Sequence, residues 1–211
     1  MTPEEISQHT FALCSRAPVV PVLVIEDAGH ARDLAKALVA GGLPALEVTL
    51  RTPAALDAIR EMSDVEGGVV GAGTLLTARD VEAAKKAGAR FGVSPGATET
   101  VLDAAEANDL PILPGVVTAS EIMRLLDRGY TMAKFFPAGT SGGAPALKAF
   151  SSPLPQMRFC PTGGVSVQNA AEYLSLPNVV CVGGSWVAPK DKLASGDWAG
   201  IEAIAREAAS L

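Results

Sequence analysis

The sequence predicts an α/β protein, a single-domain (β/α)8 TIM barrel with an extra N-terminal helix, and three observations predict it. Short β-rich runs recur along all 211 residues. Each is followed by a polar or Gly/Pro break and then a helical pattern. The interval between runs stays close to one strand–loop–helix–loop unit.

Thr2-Pro3-Glu4-Glu5 opens the extra helix, with proline at a position that needs no N–H, and the helix should run to about Arg16. The β-rich runs are Val19–Ile25, Ala45–Leu50, Gly68–Ala72, Arg90–Ser94, Pro111–Leu113, Thr131–Phe136, Gln156–Cys160 and Asn178–Val182. Their starts lie 26, 23, 22, 21, 20, 25 and 22 residues apart. Thr118-Ala-Ser-Glu121 reads as a capping box, and Thr77, Thr98 and Ser166 as N-caps. Gly41-Gly42, Gly88 and Gly129 close helices just before the next strand. A doubly wound sheet usually has fewer strands and a Gly-rich loop after the first, whereas here the first run ends in Ile25-Glu26-Asp27. Residues 1–211 are therefore read as one domain, residues 1–17 forming a helix packed on the barrel.

Composition narrows the function. Apolar residues make up 48% and charged residues 19%, which supplies a large core and argues against disorder. The formal charge is -6 without a Lys/Arg cluster, so nucleic acid is not an expected partner. No apolar run reaches membrane-spanning length and the N-terminus lacks signal-peptide features, so the expectation is a cytoplasmic protein with no membrane partner. Cys14, Cys160 and Cys181 have no metal-ligand spacing and read as small buried hydrophobes in a reducing compartment. His9 and His30 lie in helical segments away from any carboxylate cluster, so no metal is expected.

In a barrel, chemistry sits at the C-terminal ends of the strands. In the second run Leu46, Val48 and Leu50 share one face, while Glu47, Thr49 and Arg51 share the other and should point into the lumen. Charges there must pair or serve a ligand, as a base and an anion anchor would. The sixth run sets Lys134 among apolar neighbours, on one face with Met132 and Phe136. Desolvation, together with Arg51 as a nearby cation, would favour a neutral, nucleophilic amine. The third and fourth runs end in Gly71-Ala72-Gly73-Thr74 and Val93-Ser94-Pro95-Gly96, whose small residues leave room for a ligand. The last two end in Pro161-Thr162-Gly163-Gly164 and Val182-Gly183-Gly184-Ser185-Trp186. Paired Gly-rich loops after the seventh and eighth strands are the usual phosphate site of this fold, built on backbone N–H groups and a helix N-terminus.

At these windows the chain resembles the 2-keto-3-deoxy-6-phosphogluconate (KDPG) and 4-hydroxy-2-oxoglutarate (KHG) aldolase family. The segments that carry the resemblance include Leu46-Glu47-Val48-Thr49-Leu50-Arg51, Gly71-Ala72-Gly73-Thr74, Ser94-Pro95-Gly96, Lys134-Phe135-Phe136-Pro137-Ala138, Pro161-Thr162-Gly163-Gly164 and Gly183-Gly184-Ser185-Trp186. The resemblance implies a Schiff-base lysine at Lys134 and a general acid/base at Glu47. It implies carboxylate anchors at Arg51 and Thr74, a pyruvate pocket lined by Pro95 and Phe136, and phosphate loops at Thr162, Gly163, Gly164, Gly184 and Ser185. It further implies metal-free chemistry without a cofactor, a homotrimer, and a role in the Entner–Doudoroff pathway. Gly139 departs from the family, which often carries an acidic residue there. The expected substrates are a small-molecule keto acid and a phosphorylated aldehyde. Rival expectations are an aldolase for 4-hydroxy-2-oxoglutarate or 2-dehydro-3-deoxy-6-phosphogalactonate, an isomerase or synthase without imine chemistry, and a non-catalytic phosphosugar-binding module.

Overall fold

A computed structural model describes all 211 residues, Met1–Leu211. Helix α1 spans Pro3–Cys14 and starts from a capping box in which Thr2 and Glu5 bond each other's backbone N–H. Strands β1 (Val19–Leu23), β2 (Ala45–Thr49) and β3 (Val69–Gly73) alternate with α2 (Ala31–Ala40) and α3 (Ala55–Ser63). Next come α4 (Ala78–Lys86), β4 (Gly92–Val93) and α5 (Glu99–Ala107). The fifth predicted strand, Pro111–Leu113, is found as β5 (Ile112–Leu113), and a further short strand, β6 (Gly115–Val116), follows Pro114. The chain continues through α6 (Ala119–Arg128), β7 (Met132–Phe135), α7 (Gly143–Phe150) and β8 (Arg158–Pro161). It ends with α8 (Ala170–Leu174), β9 (Val182–Gly184), α9 (Lys190–Ser195) and α10 (Trp198–Ala209).

All strand pairs are parallel. One sheet runs β5-β4-β3-β2-β1-β9 and the other β6-β7-β8. Single bridges Phe159↔Val179 and Thr162↔Gly183 connect β8 to the segment that carries β9. The result is a curled parallel sheet wrapped in helices. No helix is long and apolar enough to cross a membrane.

Alternation along the strands divides the apolar residues into two groups. Leu46, Val48, Val70, Ala133 and Phe135 belong to a large cluster shared with the helices. Val20, Ala45, Phe91, Leu113, Met132, Cys160 and Cys181 form a smaller one inside the curl, joined by Cys14 from the end of α1. Gly71 makes this possible, because a Cβ there would come within 2.5 Å of the Phe91 ring. Ser7 Oγ accepts from the Thr131 N–H at 3.0 Å, which fixes α1 at the start of β7.

Most boundary signals hold. Thr77, Thr98 and Thr118 cap their helices, and Gly42, Gly88 and Gly129 take positive φ. Two expectations need correction. The last strand is Val182–Gly184, not Asn178–Val182, because β1 pairs with Val182, Gly183 and Gly184. Ser166 is not a cap: α8 begins at Ala170 with Asn169 in the cap position.

Candidate active site

Lys134 and Glu47 meet inside the curled sheet. Both are about 3% exposed, and Nζ lies 3.2 Å from Oε1. Strands β2 and β7 are not neighbours in either sheet, so this ion pair spans the interior. Two charges taken out of water require such a partner, since either alone would carry the full desolvation cost. The carboxylate is packed from one side by β3, where a Cβ on Gly73 would fall 2.7 Å from Glu47 Cγ and 2.8 Å from Cδ.

The amine has an aromatic and a backbone wall. The Phe136 ring centroid stands 5.2 Å from Nζ, within range of a cation–π contact. Its far edge faces Gly163, whose missing Cβ would sit 3.1 Å from the ring. Gly115 is the register partner of Lys134 on β6, and a Cβ there would overlap the Pro95 carbonyl. Glycine at 115 thus lets Pro95 fold in beside the lysine strand. On the other flank Cys160 is the β8 partner of Lys134.

Arg51 is placed differently from its expectation. The second strand ends at Thr49, the chain turns through an Arg51 N–H to Thr49 carbonyl bond of 2.8 Å, and Arg51 is exposed at the rim. The charge beside Lys134 is therefore the Glu47 carboxylate and not the Arg51 guanidinium. Arg51 Nε donates to Thr74 Oγ1 at 3.2 Å, and the guanidinium has no carboxylate partner.

The two glycine loops lie side by side. Gly163 and Gly164 take φ of 87° and 78°. The Gly163 carbonyl accepts from Gly139 N–H at 2.8 Å, and Asn169 Nδ2 donates to the Gly164 carbonyl at 3.0 Å. A Cβ at Gly139 would meet Gly164 Cα at 3.2 Å, so the small residue at this position allows the close approach. The N–H groups of Gly163, Gly164, Ser185 and Trp186 have no acceptor within the protein. A cluster of free backbone donors is what an anion requires. Neither loop leads straight into a helix, since α8 starts at Ala170 and α9 at Lys190. At Gly184 the Trp186 ring fills the side-chain space.

Thr162 lies at the base of the first glycine loop. Its N–H donates to Phe135 and its carbonyl accepts from Ala138, so its backbone is already used. Its side chain is buried in the interior, where glycine at 183 leaves room for it. Asn169, which fastens the loop, was missed; an amide six residues beyond Gly163 on a helix start was the available signal.

The three thiols are buried, as their apolar surroundings predict, but they also face one another. The neighbouring Cys14 and Cys181 thiols hold the Cys160 thiol well below its usual range. Cys160, with burial adding to it, pushes the Cys14 thiol up against an opposing effect of Cys181. A small void of about 10 Å³ below the ion pair is lined by Cys14, Cys160, Glu47 and Phe91, among others. No group of three or more His, Cys, Asp or Glu side chains is arranged to hold a metal ion.

Comparison with known proteins identifies the family. The sequence model of the KDPG and KHG aldolase family matches residues 11–204. The 2-dehydro-3-deoxy-phosphogluconate aldolase of Pseudomonas aeruginosa is 52% identical over 206 residues, covering 97% of this chain and 94% of that protein. A crystal structure of the Zymomonas mobilis aldolase with 3-phosphoglycerate superposes with a TM-score of 0.92 at 50% identity, covering 97% and 96% of the two chains. The Legionella pneumophila KDPG aldolase, solved with pyruvate captured as a covalent carbinolamine, gives 0.91 at 44% identity, covering 94% and 97%. This chain belongs to the KDPG and KHG aldolase family.

Proposed function

We propose that the protein is a class I aldolase, a carbon–carbon lyase that reversibly cleaves 2-dehydro-3-deoxy-6-phosphogluconate to pyruvate and glyceraldehyde 3-phosphate. The observation that carries the reading is the buried Lys134–Glu47 pair at 3.2 Å. It holds a nucleophile and a proton carrier within direct transfer distance, out of bulk water. The bridges Phe159↔Val179 and Thr162↔Gly183 and the near-continuity of β5 and β6 support a closed (β/α)8 barrel. Localisation in the cytoplasm, a homotrimer and a place in the Entner–Doudoroff pathway follow from the family reading.

Passing the shared proton from Lys134 to Glu47 yields a neutral amine and a carboxylic acid. The amine adds to the C2 ketone, and the Glu47 proton leaves with the C2 oxygen as water, giving an iminium. Glu47, again a carboxylate, takes the C4 hydroxyl proton. The C3–C4 electrons pass into the iminium, forming an enamine and releasing the aldehyde. Glu47 returns that proton to C3, and water hydrolyses the imine to free pyruvate and the amine. The terminal nitrogens of Arg51 grip the keto-acid carboxylate with Thr74 beside them. Pro95 and Phe136 line the pyruvate pocket. Gly163, Gly164, Gly184 and Ser185 bind the phosphate; Thr162 is left to interior packing. No metal or organic cofactor takes part.

Borohydride reduction with pyruvate should add one pyruvyl unit to Lys134, read by peptide mass spectrometry. Labelling at another lysine, or none, would overturn the assignment. Comparing kcat/KM for KDPG, its galactonate epimer and 4-hydroxy-2-oxoglutarate tests the substrate, with KDPG expected highest.

A further inference from the structure

Only two non-glycine residues take positive φ: Asp109 at 47° and Thr74 at 64°. Aspartate tolerates the left-handed region, because its short polar side chain can bond locally. A β-branched residue there is a genuine outlier. Such strain persists only where the surroundings over-determine it.

The surroundings of Thr74 do so. Immediately before it, the Gly73 carbonyl accepts from Leu50 N–H on the β2 side at 2.8 Å. Immediately after it, Leu75 N–H donates to the Val93 carbonyl on the β4 side at 3.1 Å. The chain switches bonding partners across one residue. Thr74 itself makes no backbone hydrogen bond within the protein. Its hydroxyl instead accepts from Arg51 Nε at 3.2 Å. That bond uses the one guanidinium nitrogen not needed for a fork, and neither terminal nitrogen has a protein acceptor. Arg51 is otherwise a long side chain at the rim, free to sample many rotamers.

We propose that Thr74 is a positioning residue whose left-handed backbone sets its hydroxyl against Arg51 Nε, presenting the remaining guanidinium edge to a keto-acid carboxylate. This inference rests on the aldolase reading. The strain is retained because relaxing the backbone would move the hydroxyl and release the arginine. Preorganising a side chain in its bound geometry favours binding by reducing what must be ordered when the ligand arrives.

Three variants test this, using pyruvate as the probe and two readouts: its half-saturating concentration in borohydride trapping, and the thermal midpoint. Thr74→Val keeps the branching and removes the hydroxyl. It should raise the half-saturating concentration about tenfold or more, as loss of a hydrogen bond to a charged group implies, without raising the midpoint. Thr74→Gly should give a similar loss of affinity but raise the midpoint by roughly 2–4 °C or more. Thr74→Ser should recover most of the affinity lost in Thr74→Val. In steady-state cleavage the change should fall mainly on KM.

A half-saturating concentration in Thr74→Val within twofold of wild type would overturn the positioning role. A lowered midpoint in Thr74→Gly would overturn the strain. Wild-type protein that traps no pyruvate would overturn the aldolase reading and this proposal with it, whereas normal wild-type trapping with either variant failing overturns the proposal alone.

Discussion

Replacing Gly73 by alanine tests how tightly Glu47, the proposed acid/base, is held. Gly73 does not use positive φ, so alanine fits the backbone and the added methyl group is the whole perturbation. That methyl would overlap Glu47 Oε1 most closely and lie 2.7 Å from Cγ and 2.8 Å from Cδ, the two carbons alone about 0.6–0.7 Å inside the closest ordinary contact. Strand β3 is held to β2 in a five-residue register, so Glu47 must move rather than the backbone. A displacement approaching 1 Å at a reacting group costs on the order of 100-fold in rate. Overpacking should also cost about 1–3 kcal/mol of stability, or roughly 2–4 °C in Tm per kcal/mol at this chain length. Gly92→Ala separates the two effects. Its methyl would meet Leu75 Cδ1 at 2.6 Å in the helix-side core, away from the ion pair. Pyruvate release from KDPG, followed by NADH oxidation with lactate dehydrogenase at 25 °C, should fall about 100-fold in Gly73→Ala and hold in Gly92→Ala. Equal turnover in the two folded variants would refute the idea that β3 packing sets the carboxylate.

Glu47→Gln should still form the imine on Lys134 while turnover drops about 10²–10⁴-fold; near-normal turnover would remove its proton-transfer role. Burial alone would raise the Glu121 carboxyl, but N–H bonds from Val117 and Thr118 and the Thr118 hydroxyl outweigh it and hold the group below its ordinary range. A depressed folded-state carboxyl stabilises above its unfolded pKa of about 4.3 and loses that contribution as pH falls through the folded value. Glu121→Gln should therefore be less stable than wild type by about 0.5–2 kcal/mol at pH 7, with the gap closing in urea titrations near pH 3; a pH-independent gap refutes this. Cys14, Cys160 and Cys181 should resist Ellman's reagent in the native protein and react together on unfolding, and rapid native labelling would contradict their burial.

Much of this was readable from residues because strand alternation is a local signal. It placed Glu47 and Lys134 inside and Leu46 and Val48 against the helices. It did not say which cation Glu47 meets, since that depends on how β2 and β7 face each other across the interior. Alternation does not place Arg51, because the strand stops two residues earlier, at Thr49. The last strand lies beyond the run with the higher β propensity, Val179, Val180 and Cys181, because docking of Gly183 and Gly184 on β1 outweighs that preference. The left-handed Thr74 has no sequence mark. A further pattern is legible on α5, where Glu99, Asp103 and Glu106 recur on one face, and Arg128 bonds all three. Tyr130 donates to Glu106 there at 2.9 Å.

The first helix ends where Cys14 and Leu13 line the void beneath Glu47. On the proposed mechanism it is thus the back wall of the reaction chamber, away from the strand ends that carry Arg51 and the glycine loops. Lifting that wall would admit solvent from behind. An enamine quenched early by solvent has no carbanion left to offer an incoming aldehyde, so bond making would suffer before bond breaking does.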